Sequence, residues 1–164
     1  MALSRTYFVD SLGVSIGSAS ATPALYIAPT STNDLTVCRI RVSVEAASTP
    51  SPPTNGSVLF QLCKVTGTKA GGGAVTPANT GQGALAANTV FSSAQSASIT
   101  GLTQSTVYWA HPIPFATGAS WEDSFENTGF ERYIPASGIY AVYFTAASGA
   151  GSGCNARVTL DFTE

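Results

Sequence analysis

Leu35-Thr-Val-Cys-Arg-Ile-Arg-Val-Ser-Val-Glu-Ala46 alternates almost without interruption. Cys38, Ile40, Val42 and Val44 fall on one parity, and Arg39, Arg41, Ser43 and Glu45 fall on the other. Side chains of an extended strand point alternately to its two faces, so this stretch predicts a strand with one face in a core and one toward solvent. The next residues, 48–56, carry Pro50, Pro52, Pro53 and the pair Asn55-Gly56, which end a ladder and favour turns. A second strand is expected over Ser57–Thr66. Val58, Phe60 and Leu62 lie on one of its faces and Leu59, Cys63 and Val65 on the other, so both faces read as covered and the strand as central.

Working outward, residues 67–88 are rich in Gly, Ala, Thr and Asn with no sustained period, and read as a long loop or excursion. Short β-prone runs follow at 89–91, 97–101, 107–115, 130–134, 139–146 and 156–162. In 107–115, Val107, Trp109, Ile113 and Phe115 share a parity, and Pro112 and Pro114 push the run to a sheet edge or a bulge. The last run alternates so cleanly that it reads as an inner strand. Upstream, 6–9, 14–16 and 25–28 are weaker, so residues 1–34 are expected to form an N-terminal arm or edge strands, with the β-sandwich domain over 35–164. Many short strands and no helical period select an all-β antiparallel sandwich, and the long connections favour a jelly roll with an extended N-terminal segment.

Composition agrees with one such domain. The chain has 164 residues, 44% hydrophobic, and only 10% charged against about 25% in ordinary soluble domains. Net charge is −2 and the seven basic residues are scattered, so no footprint for nucleic acid or a membrane surface is present. Within Met1–Gly17, Asp10 arrives before any apolar run reaches signal-peptide length, so the expectation is no signal peptide and synthesis in the cytoplasm. Cys38, Cys63 and Cys154 are odd in number and without C-x-x-C spacing, and read as reduced, buried thiols.

Residues suited to chemistry are few. His111 is the single histidine; parity places it with Trp109 and Ile113, as a core or interface histidine without a nucleophile signature around it. The densest acidic segment is Trp121-Glu122-Asp123-Ser124-Phe125-Glu126, followed by Glu131. Paired carboxylates beside a tryptophan suit a glycosidase or a calcium site, but the spacing matches neither. The segment reads as a solvated loop or an inter-subunit contact, with Trp121, Phe125, Glu122 and Asp123 as the candidate contact residues. Gly71-Gly72-Gly73 lacks phosphate-loop spacing. No catalytic residue, cofactor or metal ligand is assigned, and the reading is of a non-enzyme.

Glu131-Arg-Tyr-Ile-Pro135-Ala-Ser-Gly138-Ile-Tyr140-Ala-Val-Tyr-Phe144 is similar to the stretch that opens a core strand in trimeric jelly rolls of the tumour-necrosis-factor and complement-C1q type. The whole chain, with Leu35–Val44 followed by Gly56–Val65 and its Ala-Ser-Thr-Gly loops, resembles small β-sandwich virion proteins of tailed bacteriophages, the head-decoration or cement and minor capsid type. That resemblance implies a homo-oligomer, with a trimer favoured, docked on the major capsid protein or other virion proteins. A carbohydrate- or receptor-binding module centred on Trp121 is the alternative, and a small hydrolase using Glu122, Asp123 or Glu126 the third reading.

Overall fold

The computed structural model describes residues 6–17, 20–29, 34–46, 56–79, 90–95, 97–125, 132–135, 138–146 and 153–163. Thirteen strands, numbered in chain order, form two antiparallel sheets packed face to face, with no helix among the described residues. The first sheet runs β10 (Ser120–Ser124), β4 (Leu35–Ala46), β13 (Cys154–Thr163), β1 (Thr6–Asp10), β7 (Ala78–Asn79). Here β11 (Arg132–Ile134) pairs with β4 beyond β10, and β2 (Val14–Ser15) with β13. The second runs β6 (Gly73–Val75), β8 (Val90–Ser92), β3 (Thr22–Ile27), β12 (Tyr140–Ala146), β5 (Ser57–Ala70), β9 (Thr100–Pro114).

The pairing is nested. β1 pairs with β13, β3 with β12, β4 with β10 and β11, and β5 with β9, so early strands meet late ones from the outside inward. The principal strands switch sheet at each step except at the innermost hairpin, where β5 and β9 pair within the second sheet, which is the wrapped double Greek key of a jelly roll. Between the sheets lies one core, built from the inward parity of each strand: Ile40, Val42 and Val44 of β4, Val58, Phe60 and Leu62 of β5, Val142 and Phe144 of β12, and Val158, Leu160 and Phe162 of β13. Tyr7 stacks on Phe162 within it.

Bulges set which side chains enter that core. Asp161 faces Arg39 but Phe162 faces Val37, so Cys38 has no opposite number and the parity of β4 reverses there. Leu35 and Val37 therefore join Ile40 in the core, whereas Cys38, expected on the core parity, sits at the bulge, its thiol near the Thr36 carbonyl and the Thr163 hydroxyl. All three cysteines are buried. Burial without a charged partner pushes the Cys63 thiol up from 9.0 to about 11.

Three expectations are corrected. In the described part of segment 1–34, β1 and β3 are neither an arm nor edge strands: β1 lies between β13 and β7, and β3 lies between β8 and β12 with Ala24, Leu25 and Ile27 in the core. The apolar runs there are short and weakly patterned, yet neighbouring strands cover both sides of β1 and β3. The stretch 67–88 is not a loop where described, since β5 continues to Ala70 and β6 and β7 follow; 80–88 lies outside the described residues, as does most of the Pro-rich 48–56 connection. The runs at 97–101 and 107–115 meet in one strand, β9 (Thr100–Pro114), at the edge to which its prolines push it.

The extra length of β5 and β9 forms a ribbon that folds back over the outer face of the second sheet. Its kink is a pair of glycines: Gly67 and Gly101 have φ of 102° and 78°. A Cβ on Gly67 would meet the Gly101 carbonyl oxygen at 2.3 Å, and one on Gly101 would meet the Thr68 oxygen at 2.3 Å. Only residues without a side chain allow both backbones this approach. The fold-back lays Ile99 and Leu102 on Tyr26, Cys63, Val65 and Tyr143 as a second apolar cluster, and brings Lys69 over the Phe91 ring. Both faces of β5 are thereby covered, as its sequence requires.

Candidate functional site

The flank where β9 of the second sheet meets β10 and β11 of the first gathers most of the residues singled out in the sequence. The acidic segment is not a solvated loop: it is β10, held on β4 by the register Trp121 to Val42, Glu122 to Arg41 and Asp123 to Ile40. Adjacent residues of a strand point to opposite faces, so Trp121 and Asp123 turn toward the second sheet and Glu122 turns away from it. The indole Nε1 of buried Trp109 donates to Asp123 Oδ2 at 2.6 Å. The His111 imidazole lies flat on the Trp121 indole, 4.0 Å between centroids, with Trp109 on its other side at 6.4 Å. This Trp109, His111, Trp121 and Asp123 group closes the open edge of the sandwich by joining its two layers.

Glu122 faces outward and meets Arg41 Nε at 2.5 Å and Arg39 at 3.6 Å. Asp161 binds Arg39 at 3.2 Å and Arg41 at 3.7 Å. Further along this face, Arg157 is held between Asp10 and Glu45. Those carboxylate hydrogen bonds raise the Arg157 guanidinium above its ordinary range. Three of the seven basic residues and four of the nine acidic ones thus pair with each other on one sheet face. They border a shallow groove of about 570 Å³ lined by Phe8, Asp10, Arg41, Ser43, Glu45 and Arg157 among others.

Two sequence assignments change. Phe125, a candidate contact residue, is 7% exposed and part of the main core, its N–H donating to the Cys38 carbonyl at 2.7 Å. That bond lies just past the ladder of β10, where the strand end turns into the sandwich. Val107, expected inward with Trp109, is 48% exposed. A bulge between Leu62/Trp109 and Cys63/Val107 leaves Tyr108 unmatched and reverses the parity of β9. Trp121 is exposed, as read from its surroundings. Glu126 and Glu131 lie outside the described residues.

Large apolar side chains that remain exposed are concentrated. Of the five among the described residues, Val107, Tyr108, Trp121 and Tyr133 belong to β9, β10 and β11, and only Leu12 lies elsewhere. Sequence reasoning found Trp121 but missed the other three, because their exposure depends on bulges and on which strand forms the edge.

These features define the class: an all-β jelly-roll sandwich with one aromatic flank and an internally paired charged face. Compared with family models, curated proteins and solved structures, the chain matches none.

Proposed function

We propose that this chain is a structural protein of a virus particle, a capsid decoration or cement protein that acts through subunit contacts and has no catalytic role. The observation that carries the reading is the exposure of Val107, Tyr108 and Trp121 on the neighbouring edge strands β9 and β10. Exposed aromatic residues at such an edge serve as anchors of association surfaces, in which a few of them dominate binding. The groups with most chemical potential are engaged in holding the fold: Asp123 by Trp109, Glu122 by two arginines, His111 by Trp121. Glu122 and Asp123 also point to opposite sides of β10, so they do not face each other across a scissile bond as a glycosidase pair does. The same opposition separates the Trp121 ring from the Glu122 carboxylate, which argues against the two forming one saccharide site. The resemblance to tailed-phage virion proteins supplies the particle.

The test is co-sedimentation of the purified chain with undecorated capsids. Saturable binding that falls at least tenfold in Trp121→Ala is expected. A chain that stays in the supernatant at every concentration tried sinks the capsid reading.

A further inference from the structure

The flank is an edge of both sheets at once, and its main-chain edge is blunted. β9 carries unmatched residues at Tyr108 and Ser105, where its register with β5 slips, and Pro112 and Pro114 follow. Bulges and prolines are devices that keep an edge strand from accepting another strand. Contact at this flank is therefore made by side chains.

The composition of β9 bears on what covers it. Its fifteen residues, Thr100–Pro114, include no Asp, Glu, Lys or Arg. In a two-fold contact, residues near the axis meet their own copies, so any charge there would face itself. β9 is such a neutral strip, and the two carboxylates of the adjoining β10 are held within the chain, Asp123 by Trp109 and Glu122 by Arg41 and Arg39. A head-to-tail contact would instead need a second apolar surface elsewhere on the chain, and among the described residues the remaining large exposed apolar side chains are Leu12, just past β1, and Tyr133 on β11, single residues on opposite sides of β4 and β13. The size is also adequate. Thr103–Ala110 spans about 27 Å at about 3.4 Å per residue, and two sheets about 10 Å apart with their side chains give a depth of roughly 20 Å. That is on the order of 500 Å² per copy and 1,000 Å² for a pair, the lower bound for a specific interface.

We infer that Val107, Tyr108 and Trp121 form the self-association surface of this protein, covered by the same flank of a second copy about a two-fold axis running beside β9. This deepens the reading of the flank as an assembly surface and rests on it, but not on the particle being the partner. It predicts an even-numbered oligomer, unlike the trimer that the resemblance implies.

The experiment is a charge swap at an exposed position near the axis. Wild type, Val107→Lys and Val107→Glu are measured by light scattering, with circular dichroism confirming the strand signal. Wild type is expected at twice the 16.7 kDa chain mass or an even multiple of it. Each variant alone is expected to fall to the next smaller species, and an equimolar mixture to restore the dimeric contact with one copy of each. A wild type that is monomeric or trimeric overturns the inference, as does a dimer that both variants leave intact or that mixing fails to restore. If the Val107 variants lose their strand signal, Tyr108→Lys and Tyr108→Glu make the same test. Capsid binding by a chain that stays monomeric removes this inference and leaves the capsid reading standing; a charge-swappable dimer that ignores capsids does the reverse.

Discussion

The imidazole of His111 lies on the indole of Trp121 with planes 11° from parallel, although one ring comes from the second sheet and the other from the first. Face-to-face rings at 4.0 Å exclude water between the layers at this edge of the sandwich. The contact is a clasp between sheets.

A double-mutant cycle measures that clasp. His111→Ala and Trp121→Ala are each expected to destabilise the fold, with a coupling of about 0.5–1.5 kcal/mol between them, the range for stacked aromatic pairs. Urea unfolding of wild type, both single variants and the double variant reads it; additive single effects would show that the rings touch without supporting each other.

Asp123 accepts the hydrogen bond of a buried indole, and its removal is predicted to cost more than its neutralisation. Asp123→Ala leaves Trp109 Nε1–H without a partner inside the fold, a loss of about 1–3 kcal/mol. Asp123→Asn keeps an acceptor oxygen at the same place and is expected to lose less than half as much. Equal losses in the two variants would mean that charge, and not the hydrogen bond, matters at this position.

The ribbon kink depends on two glycines that no other residue replaces. Gly101→Ala puts a methyl group against the Thr68 carbonyl and holds a side chain at positive φ, so the expected loss is at least about 1–2 kcal/mol. The ribbon should lift before the sandwich unfolds, because its cluster of Ile99 and Leu102 is separate from the main core. Hydrogen exchange in the variant is expected to rise first at 99–102 and 65–70. A uniform rise across both sheets would count against a separate ribbon.

Cys63 makes stability depend on alkaline pH. Its folded-state value, about 11, lies above the ordinary 9.0, so the unfolded chain gives up the proton first as pH rises. The stabilisation from keeping this thiol neutral is complete below about 9 and is lost as pH climbs through about 11. Urea midpoints should hold level up to pH 8 and fall between 9 and 11, with a shallower fall in Cys63→Ala. A thiol reagent at pH 8 should find all three cysteines unreactive until denaturant is added, since all are buried. Rapid labelling of the native chain would contradict the burial.

Much of this fold is local in origin. A strand shows its alternation whatever lies beside it, so β4 and β13 were legible from residue types alone, and the double-faced burial of β5 foretold that something would cover its outer side. Pro112 and Pro114 placed β9 at an edge, because a residue without an N–H cannot serve an inner ladder. The candidate site was legible only in part: Trp121 was recognised, but the rest of its flank was not.

What tertiary structure alone decided are the features that depend on two segments distant along the chain. The bulges at Cys38 and Tyr108 lie in the register between strands distant along the chain, and each reverses the parity that the sequence displays. Hence Leu35 turns inward and Val107 outward. Phe125 sinks into the core because β10 ends over it, and the weak strands β1 and β3 become inner strands because β13 and β12 arrive from the other end of the chain to cover them. Sequence determines which way a side chain points relative to its neighbour along the strand; only the packed structure determines what stands opposite.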